Sequence, residues 1–275
     1  LDLEATRVSL PEHLSYTQLE RCLLQPGWRL ALLPIGCYEQ HGPELPLATD
    51  LIQAEELARR LAARLRAERG GQAFVLPAIA YTPTEPNKGY AGTVSVPGDP
   101  FRVYFEAVMR GILQSDYSAV VVVNSHGSVE PLLKEVGFKL VLEQFESGHA
   151  VRPILVLNVY DAASKASTVF GQKIGRHADW TEFLMTYGLL GDGYYTEERL
   201  QRLREFSKQH DFDVRMPAVL GIPAQLRSVS GVQGEPWPAS PEPLESLAAR
   251  YWDLVEDEVY GRLTFELSDF ETRFT

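Results

Sequence analysis

LALLPIGCYEQHGPELPLATDLIQAEELARRL, residues 30–61, joins an apolar run to a helical pattern through a proline-stiffened turn. Leu30–Ile35 is short and apolar throughout, as a strand buried on both faces is. Beyond Asp50, residues Ala54, Leu57, Ala58, Leu61 and Leu65 recur at helical spacing and form one apolar face, leaving Arg59, Arg60, Arg64 and Arg66 mostly to solvent. The same alternation continues down the chain. Apolar runs at Ala73–Ile79, Ala119–Asn124 and Pro153–Val159 are separated by helical patterns at Phe101–Leu113 and Pro131–Phe145. Strand and helix in turn predict an α/β fold, a layered and mainly parallel sheet flanked by helices, and the right-handed crossover rule leaves few topologies for it. The later part is less regular, with helices expected around Trp180–Leu189, Thr196–His210 and Leu244–Val259. The stretch GVQGEPWPASPEP, 231–243, reads as a loop, because the one helix after it is too little for a separate domain. One domain over residues 1–275 is the expectation.

Composition narrows the function. With 45% hydrophobic and 23% charged residues the chain has the makeup of an ordinary globular protein. A formal charge of −11 argues against nucleic acid and against anionic membranes, and leaves a small molecule or peptide as the partner. Only Cys22 and Cys37 are present, and Cys37 falls at the end of an apolar segment, so a reducing compartment is expected. No apolar run approaches the roughly 18 residues of a membrane span, and LDLEATRVSL lacks a signal-peptide pattern, which points to the cytoplasm.

In an open parallel sheet, loops at the carboxyl ends of strands collect ligands. Two such loops are rich in ligand-type side chains. The first holds Glu39, Gln40, His41 and Asp50; the second, VVVVNSHGS at 120–128, puts Asn124 and His126 directly after a strand. In extended chain Glu39 and His41 aim to one side while Gln40 faces away. Asp50 precedes a helix as an N-cap does, and capping and coordination are compatible because a carboxylate has two oxygens. A lone His after a strand is often a hydrogen-bonded structural residue. Together, Glu39, His41, Asp50 and His126 make a mixed carboxylate and imidazole set suited to zinc, manganese or iron, whereas calcium prefers oxygen alone. A third segment, GRHADWTEFLMTYGLL at 175–190, adds His177, Asp179 and Glu182 at a helix start, where the two acids equally suit the helix dipole. Gly127 and Gly92 either let backbone approach a ligand or simply turn the chain. Tyr90, Trp180 and Trp237 read either as an aromatic substrate wall or as core and subunit-contact residues.

The segments PIGCYEQHGPELPLATD, YAGTVSV, VVVNSHGS, HADWTEF and GVQGEPWPAS fall in an order that resembles the creatininase family of metal-dependent amidohydrolases, from about residue 30 to 240. That resemblance implies a two-metal centre of zinc, manganese or iron and a homo-oligomer, often a hexamer. By motif position, Glu39 and His126 would hold one metal, His41 the other, and Asp50 would bridge both. His177 would move or position a proton near the substrate, with Glu182 matching a family carboxylate beside it, and Tyr90, Gly127, Ser128, Asp179 and Trp180 would surround the substrate.

The departures fall around the same pocket. Ser128 stands where creatininase proper has a metal-binding Glu, and Val129 where most members have Asn. Asp179 and Trp180 replace a Gly-Glu pair, Asn87 a frequent His, and Ala91 a proline. Creatinine itself is therefore not the expected substrate. The expected activity is hydrolysis of an amide or cyclic C–N bond in a small metabolite by a hydroxide that the metal makes available at neutral pH, its oxyanion stabilised by the same ion. The alternatives are a peptidase or deformylase of the same family, or a lapsed homologue that keeps metal or ligand without turnover.

Overall fold

The computed structural model describes residues 14–209 and 228–274; the N-terminal stretch read for a signal and His210, the last residue of one predicted helix, lie outside them. Four strands, β1 (Arg29–Ile35), β2 (Gln72–Val75), β3 (Ala119–Asn124) and β4 (Ile154–Asn158), form one sheet in the order β2-β1-β3-β4. All three pairings are parallel, with Leu30 opposite both Ala73 and Ala119, and Val120 opposite Ile154. The chain steps from β1 outward to β2 and then returns past β1 to β3, so the order reverses between β1 and β3. That reversal opens a crevice at the carboxyl ends of these two strands, where parallel sheets bind ligands.

Burial on both faces follows from the period of two along each strand. Leu30 and Leu32 of β1 with Val121 and Val123 of β3 pack under helices α2 (Thr49–Arg69), α6 (Trp180–Tyr194) and α8 (Leu244–Phe274). Ala31, Leu33 and Ile35 with Val120 and Val122 face α3 (Gly98–Leu113) and α4 (Glu130–Glu146). The layered sheet read from the sequence is therefore present.

Some bounds differ from the sequence reading. β2 stops at Val75 rather than Ile79, because Pro77 has no N–H for the ladder; the chain rejoins β1 through one bridge, Ile35 to Ile79. Two eight-residue helices escaped the reading, α1 (Tyr16–Leu23), started by a Ser15–Gln18 capping box, and α5 (Ala163–Phe170). α7 (Glu197–Gln209) matches its prediction, while α8 runs 31 residues, well past Val259. Among the described residues no helix is long and apolar enough to cross a membrane.

Candidate metal centre

The turn after β1 is irregular from Gly36 to Ala48, and its entry is tight. A Cβ on Gly36 would stand 2.5 Å from the backbone nitrogen of Leu51 and 2.7 Å from the carbonyl carbon of Asp50. Only glycine lets the end of β1 touch the first turn of α2. That contact brings Asp50 to the carboxyl end of the sheet, beside Glu39 and His41.

Asp50 does not cap α2. It is the helix's second residue, Ala48 holds the cap position without a side-chain hydrogen bond, and the Asp50 carboxylate turns inward instead. Its Oδ1 lies 3.1 Å from His41 Nε2 and its Oδ2 3.0 Å from His126 Nδ1, so one carboxylate spans two imidazoles. All three side chains are buried, as is Glu39.

The remaining nitrogen of each imidazole is committed to a backbone carbonyl. His41 Nδ1 is 3.1 Å from the Glu39 carbonyl, and His126 Nε2 is 3.0 Å from the Pro83 carbonyl. A carbonyl only accepts, so each contact fixes an N–H there and turns the opposite nitrogen toward the carboxylates. Asn124 holds the His126 loop: its Oδ1 accepts the His126 N–H at 3.0 Å, and its amide is anchored to Asn158.

Glu39 is gripped from one side. Its Oε2 accepts from Asn87 Nδ2 at 2.7 Å and from the Thr84 hydroxyl, while its Oε1 is buried with no hydrogen-bond partner and stands 3.2 Å from His126 Nδ1. An orphaned buried carboxylate oxygen is costly unless a charge faces it. Lone pairs of Glu39, Asp50, His41 and His126 converge on common points, which a proton or a cation has to occupy. The donor set fits a divalent ion that accepts mixed nitrogen and oxygen ligands. Donor atoms of Glu39, His126 and Cys37, of Glu39, His41 and His177, and of His41, Asp50 and Glu182 each lie within 4.8 Å of one another.

The titration behaviour expresses the same convergence. Burial opposes charge on His41, yet Asp50, Glu182 and Glu39 push its pKa up to about 10. Against the same burial penalty, Glu39 and Asp50 carry His126 well above its ordinary value. In return the imidazoles hold both carboxyls below the usual range despite burial. Burial pushes the Cys37 thiol up to about 12, which leaves it an inert core group.

His177 comes from the turn before α6. Its Nε2 is 2.6 Å from the Gln40 carbonyl, and Nδ1 is turned toward Glu39 Oε1 at 3.7 Å. Burial and the neighbouring His41 lower it to about 4. Gln40 does not face away as alternation suggested: its amide nitrogen lies 2.9 Å from His177 Nε2 and 3.2 Å from Asn87 Oδ1. Glu182 Oε2 sits 3.8 Å from His41 Nε2 and accepts the Ala178 N–H at 2.6 Å. Burial first, then Asp50 and Asp179, raise Glu182 to about 8. Ala178 adopts φ 55°, the one left-handed non-glycine backbone among the described residues, at the point where its N–H meets Glu182.

A cavity of about 600 Å³ opens over this centre, lined by Glu39, Asp50, His126, His177 and Glu182, with Gly127 and Ser128 at exposed positions of its wall. Two aromatic residues expected there are elsewhere. Trp180 is fully buried against Phe170 and Tyr251, with Nε1 donating to the Lys173 carbonyl, because two residues along a helix turn a side chain about 200° from Glu182. Tyr90 donates its hydroxyl to the Ser228 carbonyl and does not line the cavity. Trp237 packs on Phe183 with the core. Asp179 touches the cavity, but its carboxylate caps α6, accepting from the Gly175, Thr181 and Glu182 amides. Sequence reasoning missed Thr84 as a support of Glu39; a threonine in an irregular segment carries no local signal for a contact 45 residues away.

The chain matches the family model described as creatininase, creatinine amidohydrolase, over residues 12–257. It resembles a crystal structure of creatinine amidohydrolase with a TM-score of 0.78 at 16% identity, over 95% of this chain and 98% of that one. A manganese creatininase structure gives 0.77 at 16% identity, over 94% and 99%. Among curated relatives, the mycofactocin precursor peptide peptidase of Mycolicibacterium smegmatis is 34% identical over 108 residues, 39% of this chain and 43% of the relative. That of Mycobacterium tuberculosis is 36% identical over 117 residues, 38% and 44%. The chain thus aligns with less than half the length of these relatives. With a family model that runs from residue 12 to residue 257, the chain belongs to the creatininase family.

Proposed function

We propose that this protein is a metal-dependent hydrolase that cleaves an amide or cyclic C–N bond of a small metabolite. The observation that carries the proposal is the Asp50 carboxylate, with one oxygen on each of two imidazoles whose far nitrogens are tied to carbonyls. Glu39, Asp50 and His126 would hold one divalent ion, and His41 with Asp50 would contribute to a second, as zinc, manganese or iron. Bound there, such ions polarise a carbonyl and lower the pKa of coordinated water to about 7, which supplies the nucleophile.

The other residues handle position and protons. Thr84 and Asn87 fix the Glu39 carboxylate so that Oε1 stays aimed at the centre. His177, neutral near pH 7 and held beside Gln40, would take a proton and return it to the leaving nitrogen. Gly127 and Ser128 contribute the open wall against which a substrate lies. A cavity of this size suits a small molecule.

A second reading, cleavage of a short peptide, is supported by the curated relatives, whose printed name is that of a peptide peptidase. A cytoplasmic homo-oligomer, with the hexamer as the form to look for by light scattering, completes the proposal.

The test is metal content of protein purified without chelator, beside Glu39→Gln, followed by release of primary amine from a panel of cyclic amides, linear amides and short peptides. About two equivalents of metal, reduced in the variant, with turnover of at least one panel class that chelator abolishes, is the expected result. Metal without any turnover selects the lapsed homologue; no metal after reconstitution refutes the reading.

A further inference from the structure

The two edges of the sheet differ in how far they are closed to another strand. β2 is four residues long, Pro77 follows it, and the Arg66 guanidinium donates to the Ala73 carbonyl at 2.9 Å. Short edges, proline and blocking charges are how sheets avoid pairing with other chains. β4, at the opposite edge, is left open. Its sequence ILVLN carries neither charge nor proline, and Ile154, Leu155 and Val156 are all partly exposed.

The ladder decides which backbone groups face outward. The Pro153 carbonyl accepts from the Val120 N–H, so residues 153, 155 and 157 turn their groups to β3 and residues 154, 156 and 158 turn theirs away from it. The Asn158 N–H is already taken by the Asp161 carboxylate at 3.0 Å. Among the described residues, nothing pairs with the outward N–H and C=O of Ile154 and Val156.

α4 extends the same surface. Glu135, Lys139 and Glu143 mark its side toward α3, through ion pairs with Arg102, Glu106 and Arg110. Gly137 marks its side over β4, since a Cβ there would stand 3.3 Å from Ile154 Cγ2. Turning on from Gly137, away from α3, at about 100° per residue brings round Val141, Phe145 and Phe138. Phe138 is 71% exposed and Phe145 70%, far more than an isolated helix face needs, and Leu142 is exposed beside them. On the other face of the sheet, Arg262 of α8 reaches Asp161, and Phe265 one turn further on is exposed too.

This surface is complementary to itself. Two copies of β4 set antiparallel about a two-fold axis at Leu155 would pair Ile154 of each copy with Val156 of the other. Each pair exchanges both of its N–H···O bonds, which satisfies every outward group of the two residues. The α4 stripes would then run antiparallel, bringing exposed Lys134 at one end of each toward exposed Glu146 at the far end of the other.

We infer that the β4 edge and the Phe138–Phe145 stripe of α4 form a two-fold contact between copies of this chain, joining their sheets into one. This rests on the homo-oligomer reading above and is independent of the metal chemistry.

The test is mass by light scattering after gel filtration of the full chain, with metal content measured on the same samples. Wild type is expected to run as an even-numbered assembly. Phe138→Glu changes a side chain that the single chain leaves in solvent, and matching thermal melts establish that it folds. It is expected to weaken association at least about 30-fold and to halve the mass, as loss of a central interface aromatic does. Val156→Pro removes an outward N–H and spares the bonds to β3, so it is expected to halve the mass as well. Leu155→Cys reads the register. Opposed residues with no hydrogen bond between them stand about 4.5 Å apart at Cα, within disulfide reach, so mild oxidation is expected to link this variant in pairs and not the wild type. A monomeric or odd-numbered wild type, a mass unmoved by Phe138→Glu, or failure of Leu155→Cys to link overturns the inference. The hydrolase reading stands in each of these cases as long as the wild type binds metal.

Discussion

Loading this centre with metal should expel a defined number of protons, and the number follows from the geometry. His41 and His126 each turn a free nitrogen toward carboxylates, and both are protonated at neutral pH in the metal-free protein, His41 with a pKa of about 10 and His126 well above its ordinary value. Glu39 and Asp50 are already ionised and release nothing. Glu182, at about 8, is roughly nine-tenths protonated at pH 7. Filling both positions at pH 7 should therefore release about three protons per chain, two from imidazoles and one from Glu182. At pH 9 Glu182 has already lost its proton, and the count falls to about two. Each released proton makes the overall affinity climb tenfold per pH unit, or about 1.4 kcal/mol. Isothermal titration of Mn(II) in buffers of different ionisation enthalpy reads the count directly. Fewer than two protons at pH 7 in the wild type would refute the claim that cations and protons compete for the same lone pairs.

Three further outcomes follow from the same structure. The metal-free protein should lose stability as pH rises from 7 to 10, because His41 and Glu182 both have folded pKa values above their unfolded ones and bind more protons when folded. The loss is of order 4 kcal/mol, read as a falling thermal midpoint that saturating metal removes; a flat profile without metal counts against it. Gly36→Ala places a methyl against the backbone of Asp50 and Leu51, and should cost about 1–3 kcal/mol and weaken metal binding at both positions, whereas unchanged denaturation and metal content would show that α2 is not held by this contact. His177→Asn should keep the metal and slow turnover by about 10²–10⁴-fold; loss of the metal in that variant would move His177 from proton transfer to coordination.

Much of the scaffold could be read in advance, because β1, β3 and α2 carry periodicities that nothing contradicts. Ala119–Asn124 matches to the residue, since five apolar residues ending in a polar one leave no other register. Local signals were weaker for α1 and α5, which are eight residues each, and for the end of α8, where Leu263 and Leu267 continue the buried stripe through an otherwise polar run. At the centre, Glu39, His41, Asp50 and His126 were legible because ligand-type residues crowded strand ends. What surrounds them was not. Trp180 and Tyr90 sit inside motif segments yet point away, and only the helix phase of α6 and the reach to Ser228 decide that. Conversely Thr84, Asn87 and Gln40 act through contacts formed only once the irregular segment after β2 has folded against the β1 turn.

The origin of these side chains also sets when in folding the site can exist. Glu39, His41 and Asp50 belong to one stretch of twelve residues, but His126 joins Asp50 across a separation of 76, and His177 meets Gln40 across 137. Contacts of such separation form after loop closure has been met elsewhere, here by the pairing of β1 with β3 and the docking of α6. A growing chain that has emerged only as far as α2 holds three acidic and basic groups and no closed cage. Ion capture would therefore wait at least until β3 has brought His126 to Asp50, and an ion that binds only the folded arrangement would favour chains that have reached it.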